Sequence, residues 1–231
     1  MDGELSGPPP VRRGAAPLPQ ALALAPLLRR VAGLALALVA ADPAVAALIG
    51  QLAAAEEALR DLVPADSAPR MAAGDGGASE AGGRVYLDHS HDIGAFSPCF
   101  PEYEITVAGD HASGSVEFPL AFEGPPGIVH GGVLSLFFDA VIQHHNCELG
   151  IAGKTVSLQV GYLKPTPLLR PLEFEVRRTA AGKHSTSQAR LHSGGQDHGG
   201  DRVYCTATVA AVAGDVSRLP PLSPRRNARC Q

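Results

Sequence analysis

The stretch from His130 to Ile142 (HGGVLSLFFDAVI) constrains this chain more than any other. It opens with a His-Gly-Gly turn and continues as an apolar segment broken by one carboxylate, Asp139. Its apolar positions, 133, 134, 136–138 and 140–142, surround a helix axis instead of forming one stripe, so such a helix must be covered on most sides. An ionised carboxylate in that setting is costly unless a partner or a reaction uses it.

Segments with a two-residue period follow the helix. Val156, Leu158, Val160 and Tyr162 alternate with polar or small residues, as do Leu172, Phe174 and Val176, then Ser187, Ala189 and Leu191, then Val203, Cys205, Ala207 and Val209. Each reads as a strand with one face for a core. Ile105 with Val107, and Val116 with Phe118, mark two more strands around a Gly109-Asp110 turn. The pattern predicts an α+β domain in which an antiparallel sheet wraps around one long central helix.

Ahead of this domain, Leu27, Val31, Leu34 and Leu38 recur at helical spacing between Gln20 and Ala41. Asp42-Pro43 has the form of an N-cap followed by a first helical residue. A second apolar face follows at Val45, Leu48, Ile49, Leu52, Leu59 and Leu62. The expected organisation is a disordered segment over 1–18, a helical hairpin over 19–63, a Gly- and Ala-rich linker over 64–84, the main domain over 85–213 and a flexible tail over 214–231.

Composition excludes some classes. The net charge of -4 gives no electrostatic basis for nucleic-acid binding. Four widely separated cysteines and nine histidines show no metal-ligand or redox spacing, and free thiols are expected. The N-terminus does not have the form of a signal peptide. Asp42-Pro43 interrupts the apolar run from Val31 to Ile49, so no membrane span is expected and the cytoplasm is the expected compartment.

The first turn of a helix leaves N–H groups unpaired and partly positive, and glycine lets a ligand oxygen approach them. Gly131 and Gly132 therefore suit a phosphate or a polarised carbonyl. Asp139 lies about 12 Å further along the axis, at 1.5 Å per residue. One helix cannot bring both groups to one carbonyl, whereas antiparallel helices from two protomers can. If the two act together, the site lies at a dimer interface.

His130-Gly131-Gly132 with Asp139, followed by Tyr162-Leu163-Lys164-Pro165, resembles the hotdog-fold acyl-CoA thioesterases of the phenylacetate-pathway type. The approach Glu123-Gly124-Pro125-Pro126-Gly127 is most similar to the subgroup of the carboxyl-terminal modulator protein. The resemblance covers roughly residues 90–213. It implies a five- or six-stranded sheet, a homodimer or dimer of dimers, and hydrolysis of acyl-CoA with no cofactor beyond the CoA of the substrate.

By the same resemblance, Asp139 is general base or nucleophile, the amide of Gly131 or Gly132 polarises the thioester carbonyl, and Thr155 positions water. His130 is a further catalytic candidate, although a helix-start role is its plainer reading. Gly124, Gln143, Lys164, Pro165 and Lys183 are the expected substrate or CoA contacts. Gly124 stands where many relatives carry Asn or Gln, which removes a side-chain donor. His144 and His145 are expected to complement the helix dipole or to sit at an interface. Arg177 and Arg178 are further cations at strand ends. The alternatives are a non-hydrolytic acyl-CoA-binding module, an interaction protein acting through its N-terminal helices and, more weakly, a hotdog dehydratase.

Overall fold

The computed structural model describes residues 19–60, 62, 93–149, 153–195 and 201–213. The expectations for 1–18, 64–84 and 214–231 lie outside the described residues. Helices α1 (Pro19–Ala37) and α2 (Pro43–Arg60) come first, followed by the short α3 (Ile93–Phe96). Strands β1 (Tyr103–Ala108) and β2 (His111–Glu117) form the hairpin expected around Gly109, whose φ of 59° suits a residue without a side chain. A 3-10 turn at Leu120–Phe122 leads to the long helix α4 (Gly131–Glu148). Strands β3 (Gly153–Tyr162), β4 (Pro171–Ala181), β5 (His184–His192) and β6 (Val203–Ala213) complete the domain.

All six strands belong to one antiparallel sheet in the order β1-β2-β4-β5-β6-β3. Only β4, β5 and β6 form a simple meander. The chain crosses from β3 at one edge to β4 in the middle, a step that period-two alternation does not reveal. Helix α4 packs on one face of the sheet, with Phe137, Phe138, Val141 and Ile142 fully buried. They meet Phe174, Val176, Leu191, Cys205 and Val209 from the strands, and Phe100 and Phe118 close one end. Phe137 is the hub of edge-on ring contacts to Tyr103, Phe118 and Phe174. The sheet covers one side of the apolar helix and loop residues cover part of the rest, but the side that carries Ser135, Leu136 and Asp139 stays partly open, with Leu136 51% exposed.

Two expectations change. The apolar face of β3 is not part of the core: Val156 and Tyr162 are more than half exposed, and only Val160 packs partly against the interior. As the edge strand, β3 lacks a neighbour on one side. The register of β3 against β6 also slips between Thr155 and Ser157, a bulge of one residue. Strict alternation would put Thr155 on the opposite face from Leu158. With Val156 as the extra residue, Thr155 pairs with Ala211 and points to the same side as Leu158 and Val160, toward α4.

The second change concerns α1 and α2. They meet at the expected turn, where the Ala44 N–H donates to Asp42 Oδ1 at 2.8 Å. They share no substantial contact along their lengths. Helix α1 docks on α3 and the 3-10 turn through Ala25 and Arg29. The guanidinium of Arg29 donates to the carbonyls of Gly94 and Ser97 and lies 3.3 Å from Glu102 Oε2. The leucine stripe of α1 faces solvent: Leu27, Leu34 and Leu38 are each about half exposed or more. Helix α1 runs through Pro26 and is long and apolar enough by composition to cross a membrane, but its central arginine is spent on the domain beside it. No residue of α2 is buried.

Candidate active site

Four residues at a spacing of four, Gly131, Ser135, Asp139 and Gln143, form one ridge along α4. Strand β3 runs past this ridge in the opposite direction, and its two side-chain contacts divide the ridge into two ends.

At the far end Thr155 is the centre. Its hydroxyl donates to Asp139 Oδ1 at 2.7 Å and accepts from Gln143 Nε2 at 2.6 Å. A hydroxyl has one proton, and the amide can only donate from nitrogen, so the direction of this chain is fixed. Gln143 orients Thr155, and Thr155 holds one oxygen of Asp139. The other carboxylate oxygen has no protein partner among the described residues, and Asp139 is partly exposed. The burial cost is thus met by a charge-assisted bond and residual solvation.

Gln143 was expected to touch substrate. It is instead buried behind Thr155, a placement hinted at by its position one turn beyond Asp139. The bulge in β3 makes the arrangement possible by turning Thr155 inward.

The near end carries the helix N-terminus. His130 is the N-cap, with extended backbone, and its Nδ1 accepts from the Gly132 N–H at 3.0 Å. That bond places the ring proton on Nε2. The N–H groups of Val133 and Leu134 bond to the His130 carbonyl. Among the described residues only the Gly131 N–H in this turn has no partner, which separates the two glycines that sequence alone left equivalent. Tyr162 lies over Gly131: its hydroxyl donates to the Gly131 carbonyl at 3.0 Å and is 2.9 Å from Ser135 Oγ. A Cβ on Gly131 would come within 3.3 Å of the Tyr162 ring. Neither Tyr162 nor Ser135 had been singled out as a site residue.

Gly124 has a steric reason. A Cβ there would lie 2.9 Å from the His130 Cα, a backbone atom. Its N–H donates to the Ile128 carbonyl at 2.8 Å, closing the tight loop through Pro125 and Pro126. The position holds the loop against the cap and has no room for a donor side chain.

The remaining expected contacts divide between the two ends of the sheet. Lys164 and Pro165 line a shallow depression with Gly131, Leu134, Tyr162 and Thr166. Lys183 sits in the exposed β4–β5 turn, next to the row that pairs His184 with Val212 and Val212 with Lys154, at the Thr155 end. One protomer does not bring Lys183 and Lys164 to one ligand. His144 and His145 are buried rather than at an interface: Nδ1 of His144 is 2.7 Å from the Tyr103 hydroxyl, and Nε2 of His145 is 2.7 Å from the Gly109 carbonyl oxygen. Arg178 is also buried, donating to Asn146 at 3.0 Å and Asp110 at 3.1 Å. No cluster of metal-ligating side chains occurs among the described residues.

The whole architecture, N-terminal helices included, has a solved counterpart. A thioesterase-superfamily protein matches with a TM-score of 0.61 and 21% identity, over 88% of this chain and 99% of its own. The fold is a hotdog. At that identity the likeness is one of fold. The family model described as the acyl-CoA thioesterase N-terminal domain matches residues 123–213 of the hotdog domain, a span that contains both ends of the ridge.

Other solved structures match less of the chain. A hypothetical thioesterase with coenzyme A from Streptococcus pneumoniae TIGR4 is 22% identical over 48% of this chain and 87% of its own, with a TM-score of 0.43. A Streptococcus mutans UA159 protein bound to acetyl CoA is 15% identical over 49% of this chain and 89% of its own, with a TM-score of 0.44. No curated protein matches the sequence.

Proposed function

We propose that this protein is an acyl-CoA thioesterase. The observation that carries the reading is the ridge of α4, with a carboxylate fixed through one oxygen by Thr155 and, two turns away, a helix N-terminal amide without a partner among the described residues. The family model over residues 123–213 supports the same reading.

In the proposed reaction the free oxygen of Asp139 takes a proton from water as the water oxygen attacks the thioester carbonyl. The Gly131 N–H of the neighbouring protomer holds the oxyanion. Collapse of the tetrahedral adduct breaks the C–S bond, and the CoA sulfur leaves with a proton, giving free acid and CoA. Direct attack by the same carboxylate, followed by hydrolysis of the anhydride, uses the same groups.

The assembly in this proposal is a homodimer or dimer of dimers with composite sites. The unpaired edge of β3, with Val156 and Tyr162 exposed beside Leu136 of α4, is a surface of the type that pairs with another chain. Antiparallel α4 helices across that edge would bring the Asp139 end of one copy to the Gly131 end of the other.

A thiol-release assay over short, medium, long and aromatic acyl-CoAs tests the reading. Turnover of at least one class that is lost in Asp139→Asn is the expected result. Tight binding of CoA esters with no thiol release from the wild type would overturn it in favour of a non-hydrolytic binding module, a reading that the missing side-chain donor at Gly124 would then favour.

A further inference from the structure

The two N-terminal helices carry matching seams that none of the described residues covers. In α1, Leu24, Leu27, Val31, Leu34 and the following Leu38 are spaced alternately by three and four residues. In α2, Val45, Leu48, Leu52, Ala55, Leu59 and the following Leu62 repeat the spacing. A three–four alternation keeps an apolar seam facing a second helix, which identifies the occupant as helical. Both seams are open: Leu24, Leu27 and Leu34 are 48%, 49% and 70% exposed, and Leu52 and Leu59 are 44% and 54% exposed. The face of α1 that docks on the hotdog domain, Ala25 and Arg29, is the other side of the helix.

The flanking charges specify which helices meet. Exposed Arg30 lies beside the seam of α1, at the residue before Val31, and exposed Glu56, which also meets Arg60 of its own helix at 3.1 Å, lies beside the seam of α2, at the residue after Ala55. Those are the positions whose charges set partner choice in helix pairs, and here their signs are opposite. The α1 and α2 of one chain do not pack on each other. A lipid surface fits poorly, because the polar side of α2 offers Gln51, Glu56 and Glu57 against the single Arg60, not the basic face that draws a helix to a membrane.

We infer that the seams are filled by a second copy of this chain, α1 of each copy packing on α2 of the other about a two-fold axis. Each half-exposed seam residue holds on the order of 50 Å² of apolar surface. The sum falls short of the roughly 800 Å² per partner of an interface that stands alone. The helices therefore strengthen an association made elsewhere in the chain and do not create it.

Sedimentation of the full-length protein across a dilution series tests this. Leu52→Lys with Leu59→Lys, both on a helix with no buried residue, should raise the dissociation constant at least tenfold while the circular dichroism of the hotdog domain is unchanged. Arg30→Glu or Glu56→Arg alone should weaken association, and the two together should restore it. A wild type that remains monomeric at all concentrations would overturn the inference. So would an unchanged dissociation constant in the lysine variant, or charge rescue seen only as a thermal shift with no change in mass. Loss of binding to phosphatidylcholine vesicles in the lysine variant, without a change in mass, would overturn it in favour of lipid.

Discussion

Thr155 donates its only hydroxyl proton to Asp139 across 2.7 Å, while Gln143 donates from behind to the Thr155 hydroxyl oxygen at 2.6 Å. The relation makes Asp139 a carboxylate held at one oxygen and available at the other. It also ranks the three residues. Asp139→Asn should leave the circular dichroism spectrum unchanged and lower kcat by several orders of magnitude, because a base or nucleophile is lost. Thr155→Val removes one hydrogen bond to a charged group, worth about 1.5–3 kcal/mol, and should cost roughly 10- to 100-fold in kcat. Gln143→Leu should cost less than Thr155→Val. A Gln143 variant that raised KM alone would instead return that residue to the substrate-contact role read from the sequence.

Gly124 offers a second test. Installing the asparagine that many hotdog relatives carry is expected to fail as a gain of function, since the new Cβ would press on the backbone of His130. Gly124→Asn should destabilise the protein by about 1–3 kcal/mol, as overpacking does. It should also lower activity by shifting the cap that His130 provides to Gly132. Thermal denaturation and thiol release on the same preparation would measure both effects.

His145 makes stability depend on pH. Burial pushes its pKa below the ordinary 6.5, outweighing the opposing bond to the Gly109 carbonyl, and the charge of Arg178 adds to the depression. Asp110 raises and His111 lowers it among the other groups around it. The folded state therefore resists the proton that the unfolded chain accepts. Stability from this group is complete above pH 6.5 and is lost as the pH falls through the lowered folded value. Melting temperatures between pH 7.5 and 5 should drop more steeply in the wild type than in His145→Gln, which keeps a donor and does not titrate.

The thiols should divide by reactivity. Burial raises the pKa of Cys205 to about 11, and its side chain is fully enclosed beneath the helix, whereas Cys99 is exposed. At pH 8 a thiol reagent is expected to label Cys99 in the native protein and to reach Cys205 only on unfolding. Peptide mapping after labelling, with and without denaturant, reads this directly. Native labelling of Cys205 at the rate of Cys99 would mean that the core opens far more easily than its packing implies.

The central helix was legible because its apolar residues fall on most sides of the axis, and Gly109-Asp110 was legible as a turn because the chain there needs a residue free of a Cβ. The ridge was half legible. Asp139 stood out as a charge among apolar residues, but Ser135 and Gln143 are ordinary polar residues whose roles depend on β3, a strand distant in sequence. The choice between Gly131 and Gly132 needed the ring position of His130. The docked face of α1 was not legible, for a different reason. Periodicity finds the most apolar stripe, and the docked face here is alanine with a buried arginine whose hydrogen bonds lie far along the chain. The edge position of β3 followed from strand order, on which alternation is silent.

The bulge at Thr155 has a consequence for how this domain tolerates change in length. Side-chain direction in β3 is set by counting residues from the slipped pair, so the count carries chemical information alongside the identities. Inserting one residue between Ala210 and Ala211 of β6, opposite Val156, would keep Asp139, Thr155, Gln143 and both helix glycines in the sequence. A straightened strand would then turn Thr155 away from the carboxylate. A relative could retain every residue of the ridge and still lack the site, and a comparison by residue identity would miss the loss while an alignment gap of one would record it.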